Sequence, residues 1–135
     1  MVLELERLGI AVCGAQEARP REDGAKTIGD SWRVCSSRAD DRGNYCCQVW
    51  ISLCTPWAVA DTMAICPRAD SIHIVHADPC LLLVRIELAL FSVLVIDAHG
   101  PHIGRGVAIA KAYWKGLVQH VKEVRCPGDR TPLPM

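Results

Sequence analysis

Two short stretches carry side chains whose types and spacing could do chemistry. Gln16-Glu17-Ala18-Arg19 closes the small apolar run Ile10–Ala15. Its carboxylate suits a divalent cation, and its guanidinium suits phosphate oxygens, which it can clamp in bidentate fashion. Side chains alternate along a strand, so Glu17 and Arg19 share a side if extension continues through Ala18. The second stretch, Asp97-Ala-His-Gly-Pro-His102, closes the Val/Ile/Leu-rich run Leu88–Ile96. It delivers Asp97, His99 and His102 into a turn, where imidazoles can donate hydrogen bonds or titrate near neutral pH. Together these groups suit a phosphodiester. The spacing of Glu17 and Arg19 equally describes an exposed ion pair at a loop entrance, which contributes little.

Regular elements must position these groups. Val2, Leu5 and Leu8 recur at the spacing of a short amphipathic helix that Gly9 stops. Ile10–Ala15 then reads as a buried strand, and residues 21–28 as a polar surface loop. Trp32–Ser36 and Tyr45–Leu53 read as strands around the charged turn Ser37–Asn44. Residues 55–68, with Pro56 and Pro67, show no clean period and read as loop. Ser71–His76 and Cys80–Ile86 form a hairpin around Ala77-Asp-Pro79. Strand alternation puts His73 and His76 on opposite faces, which argues against a shared metal. Leu88–Ile96 is apolar except for Ser92 and closes at Gly-Pro, the pattern of a central strand buried on both faces. The strongest helical stretch is Val107–Val124, with Val107, Ala110, Trp114, Leu117, Val118 and Val121 on one face. Prolines and a glycine make residues 125–135 an irregular tail.

Composition narrows the class. The chain has 135 residues, enough for one domain with a real core. Fifteen basic and fifteen acidic side chains cancel, so bulk charge does not hold a polyanion. Any nucleic-acid contact needs a local patch such as Arg33, Arg38 and Arg42, which Asp40 and Asp41 interrupt. The eight cysteines lack Cys-x-x-Cys spacing and mostly sit in apolar runs, so they read as reduced thiols packed as small hydrophobes. A zinc protein built on scattered Cys and His is the less favoured reading. The N-terminus carries acids where an export signal carries basic residues, and no run approaches the ~18 apolar residues of a membrane span. An intracellular, nuclear or cytoplasmic protein is expected.

The two stretches, taken in order, carry a resemblance. Helix, Gly, apolar strand and Gln16-Glu17-x-Arg19 resemble the Ile-x-x-Leu-Gln-Glu-x-Arg segment of the endonuclease/exonuclease/phosphatase family, with Ala15 in place of Leu. Asp97-Ala-His-Gly-Pro-His102 resembles that family's Asn-x-Tyr-Ala-Pro-His strand end. There Asp97 stands for Asn, His99 for Tyr and Gly100 for Ala, while Pro101 and His102 match. The Pro101-His-x-Gly104 turn and the Trp114-x-x-Leu-Val118 helix are closest in flavour to the endonuclease domain of non-LTR retrotransposons. The resemblance implies an α/β (α+β) fold: a partial DNase I-like sandwich of mixed, mostly antiparallel sheet. It has a short N-terminal and a longer C-terminal helix, with the domain spanning residues 1–124. It implies Glu17 as the magnesium ligand, Gln16 and Arg19 as substrate contacts, His99, Asp97 and His102 as catalytic groups, and DNA as partner.

The match covers only the first half of the family's domain. A first strand bearing a metal-site Asn should precede Val2, and this sequence has no Gly-Asp-Phe-Asn or Ser-Asp-His. Those motifs supply the water-activating Asp, the Asn beside the phosphate and the general-base His. Loss of one preorganised donor costs roughly 2.7–4 kcal/mol, so the loss of several puts hydrolysis near background. The alternative expectation is a catalytically inactive remnant that folds poorly or only by association with a complementary half, and that self-associates through an uncovered apolar sheet. Both turn on whether residues 17 and 99 face a common pocket.

Overall fold

The computed structural model describes residues 2–16, 24–39, 46–100, 104 and 106–124. Two compact units result, Met1–His99 and Gly100–Met135. The architecture is α+β, with antiparallel sheets, a short N-terminal helix and a longer C-terminal helix.

In the first unit, helix α1 (Val2–Arg7) is braced by Arg7 Nε donating to Glu4 3.1 Å away. It buries Leu5 and ends before Gly9, whose φ of 67° lies in the left-handed region that glycine enters freely. Four strands follow: β1 (Val12–Gln16), β2 (Gly24–Ile28), β3 (Trp32–Ser36) and β4 (Cys47–Ser52). They form an antiparallel sheet in the order β1-β4-β3-β2. A small hairpin, β5 (Trp57–Ala60) with β6 (Met63–Ile65), leads through one 3-10 turn to the second sheet. That sheet comprises β7 (Ile72–Asp78), β8 (Leu81–Glu87) and β9 (Ser92–Ala98), in chain order.

The two larger sheets pack face to face, β4 against β8 and β9, β1 against β9 and β3 against β7. Pairing register selects the inward residues. Cys35, Cys47, Val49 and Ile51 of the first sheet meet Ile72, Leu82, Val84 and Ile86 of the second, all buried. Burial of each larger aliphatic side chain contributes about 1.5–3 kcal/mol. This core specifies the sandwich more strongly than any polar contact.

Several elements differ from the sequence expectation. The strand buried on both faces is β8, not Leu88–Ile96. The apolar run from Cys80 onward is folded by a turn in which Leu88 N–H donates to Phe91 O at 2.8 Å. Leu90 is 63% exposed there, and β9 becomes an edge strand. An unbroken apolar run does not reveal where a turn interrupts it. β1 is likewise an edge, half-buried and not buried. Residues 24–28 form β2 and not loop, because β3 offers a free edge on which they pair. Residues 55–68, read as loop, contain the β5–β6 hairpin. His73 and His76 do not take opposite faces. A bulge between Ile74 and His76 shifts the register so that they pair with Arg85 and Leu83, two residues apart on β8 and hence on one face. Each has its own carboxylate: Glu87 lies 3.5 Å from His73, and Asp78 lies 2.7 Å from His76. Arg33 leaves the proposed surface patch as well. It is half-buried, inward in register beside Ile51, and donates to Thr27 Oγ1 at 2.9 Å.

In the second unit, helix α2 (Val107–Val124) has the bounds the periodicity predicts and starts after Gly106, whose φ is 103°. Of the expected face, Ala110, Leu117, Val118 and Val121 are sheltered; Val107 and Trp114 are exposed, and Tyr113 is sheltered instead. The Tyr113 and Trp114 rings meet edge to face with centroids 5.0 Å apart. A side chain at Gly100 would meet both of them at 3.2–3.3 Å.

Candidate active site where two edge strands end

β1 and β9 lie over one another on the same flank of the sandwich, and their C-terminal ends meet. Gln16, the last residue of β1, is inward in register opposite Cys47. Its Nε2 donates to the Ala98 carbonyl at 2.5 Å. The residue after Gln16 is Glu17, and the residue after Ala98 is His99. The described ends of the two stretches singled out by their chemistry therefore meet, although 82 positions separate the bonded residues.

Asp97 lies beneath this junction. It faces inward opposite Leu82, is 8% exposed, and accepts the Gln48 N–H through Oδ2 at 3.1 Å. The Gln16 side chain and the Ala15 N–H also lie close enough to favour its charged form. Burial pushes the Asp97 carboxyl above the ordinary aspartate value. The Gln48 N–H, the Gln16 amide, His99 and the Ala15 N–H oppose that shift without cancelling it. Gly14 makes room: a Cβ there would sit 3.4 Å from Asp97 Oδ1. A glycine inside a strand often marks such a close approach, which is the signal by which sequence reasoning could have found it.

His99 continues the ladder beyond β9, its N–H donating to the Cys80 carbonyl at 2.8 Å. Cys47 is packed beside this group, its thiol 3.8 Å from the Pro79 carbonyl. Burial, with the Asp97 carboxylate next, pushes the Cys47 thiol up to about 12. Burial likewise raises Cys35 to about 11. Both stay protonated at neutral pH and behave as small hydrophobes, not nucleophiles. The described cysteines are free thiols.

Of the residues assigned chemistry from sequence, Gln16, Asp97 and His99 are brought together. Glu17, Arg19 and His102 lie outside the described residues. Sequence reasoning missed Gly14, Cys47 and the Gln48 backbone, because only cross-sheet packing recruits them. Among the described residues no group of three or more His, Cys, Asp or Glu is placed to hold a metal ion. Oδ2 of Asp97 is already engaged by the Gln48 N–H. A cleft of about 300 Å³, lined by Ile65, Cys66, Arg68, Ser71, Glu87 and Leu88, opens instead at the far end of β8 and contains none of the assigned residues. No helix among the described residues is long and apolar enough to cross a membrane.

No family model, no curated protein and no solved structure matches this chain.

Proposed function

We propose that the chain carries the first half of a phosphodiester site of the endonuclease/exonuclease/phosphatase type, whose complete form would be a magnesium-dependent endonuclease acting on DNA. One observation carries this reading. The residue before Glu17 and the residue before His99 are hydrogen-bonded to each other, Gln16 Nε2 to Ala98 O at 2.5 Å. The described ends of the two stretches are joined on a packed sandwich, which supports a reading in which their polar groups act together.

The residues divide the work. Asp97 positions: its Oδ2 accepts the Gln48 N–H of β4, and its carboxylate lies against Gly14 of β1. The described residues alone do not form a cation site, so magnesium would rest on Glu17, supplemented by water and substrate oxygens. Bound there, it would offset charge on the phosphoryl group. His99 would donate to a phosphate oxygen, and Arg19 would clamp the backbone of the nucleic acid. His102 would serve as an improvised base. With no Gly-Asp-Phe-Asn and no Ser-Asp-His in this sequence, binding is expected to outrun catalysis.

Duplex DNA binding with and without magnesium tests the reading, alongside plasmid nicking. Magnesium should strengthen binding, Glu17→Ala should abolish that gain, and Arg19→Ala should weaken binding about tenfold. Nicking should stay at the Glu17→Ala level. Magnesium-dependent nicking lost in Glu17→Ala would mark a working enzyme. Binding indifferent to magnesium and to both substitutions would overturn the reading.

A further inference from the structure

β1 and β9 are edge strands of their sheets, and the register identifies which backbone groups β9 presents. His99 N–H to Cys80 O and Leu88 N–H to Phe91 O place the odd-numbered residues of β9 in hydrogen-bonded pairs with β8. The N–H and C=O groups of Ser92, Leu94 and Ile96 therefore point away from the sheet. Among the described residues no strand lies beyond β9. Its inward residues Val93 and Val95 are only half-buried, although the inward residues of neighbouring β8 are fully buried.

The edges of the opposite flank carry devices that discourage pairing. β7 has a bulge and the polar His73, His76 and Asp78. β2 is short and carries Lys26 at its centre. β9 has neither device. Ser-Val-Leu-Val-Ile contains no charge, proline or bulge, and Ile96 is 36% exposed. An uncharged, regular edge of this kind is a template for another strand.

We infer that β9 is a homodimerisation edge, occupied by β9 of a second copy of this chain in antiparallel pairing about Leu94. The register follows from the residues. With Leu94 opposite Leu94, Ser92 pairs with Ile96, and Val93 faces Val95 on the inward side. Every inward pair is then apolar, and the two cores become continuous. Shifting the two-fold to Val95 would set Asp97 against Val93 and require the Ala98 carbonyl, which Gln16 already occupies. Zero formal net charge leaves no bulk repulsion between copies. Five residues per copy make a small interface, so association depends on concentration. The pairing is independent of the phosphodiester reading.

Sedimentation velocity over a dilution series of the full chain tests it, beside Ile96→Lys, which places a charge on the outer edge. The wild type should pass from monomer to dimer with concentration, and Ile96→Lys should remain monomeric with an unchanged far-UV spectrum. A wild type that is monomeric throughout, or a variant that dimerises equally, overturns the inference. Should the variant fail to fold, amide hydrogen exchange on the wild type decides. Leu94 and Ile96 amides should gain protection with concentration while Val93 and Val95 amides stay constant. Absence of that contrast also overturns it.

Discussion

The two flanks of the sandwich are built to opposite specifications. On one side, β2 and β7 end the sheets with Lys26, two histidines, an aspartate and a bulge. On the other, β1 and β9 end them with small or apolar residues and a glycine, and the polar groups turn inward. Asp97 is buried and accepts the Gln48 N–H across the interior, and the exposed Gln16 side chain donates to the Ala98 carbonyl. The polar flank thus solves the edge problem with charge. The apolar flank leaves its edge available and spends its polar chemistry on joining two strand ends. That contrast explains why the candidate site and the pairing edge share one side of the molecule.

The largest expected effect lies between the flanks. Leu82→Ala empties the inward face of β8, where the side chain is fully buried, and should cost about 2–5 kcal/mol in denaturant unfolding. A smaller loss would mean that the sheets are held by their flanks and not by their centre.

Next comes the inward-turned polar chemistry. Asp97→Ala leaves the Gln48 N–H facing an apolar gap, at about 1–3 kcal/mol. Asp97→Asn keeps the shape and an acceptor while removing the buried charge. The folded-state pKa of Asp97 is raised, so the folded chain binds its proton more tightly than the unfolded chain does. The resulting stabilisation is fully present below the ordinary aspartate value of about 3.9 and is lost as pH rises through the raised folded value. Melting followed against pH should show wild type gaining relative to Asp97→Asn on acidification through that window. Parallel curves would show that burial does not penalise this carboxylate.

The smallest effect on stability is expected on the polar flank. Lys26→Val removes an exposed charge from an edge strand and should change unfolding free energy by no more than about 0.5 kcal/mol. It should nevertheless add a concentration-dependent species in light scattering. If association is unchanged, Lys26 is not what guards that edge.

Reading the fold from residues succeeded where pattern is local and failed where it is not. Helix α2, strand β3 and the β7–β8 hairpin were legible within a residue or two, because periodicity and turn residues act over a few positions. Leu88–Ile96 was misjudged because apolarity records a preference for burial, not which strand obtains it. The sheet order gave the centre to β8. The bulge in β7 was invisible for a similar reason: one inserted residue reverses side-chain parity without a compositional mark. In the candidate site, Gln16, Asp97 and His99 stood out by type alone. Gly14, Cys47 and the Gln48 amide did not, since their part depends on which strand lies beneath them.

By itself the sequence determined the two helices, strand β3 and the β7–β8 hairpin, the absence of bulk charge, and the two polar strand ends, all properties of neighbouring residues. Only the tertiary structure decided that those ends meet, that Asp97 holds them from below, and that β9 is an edge. Contacts between residues 82 positions apart depend on how two sheets stack. Stacking is governed by the shared apolar core, which constrains position without being written at the polar residues it brings together.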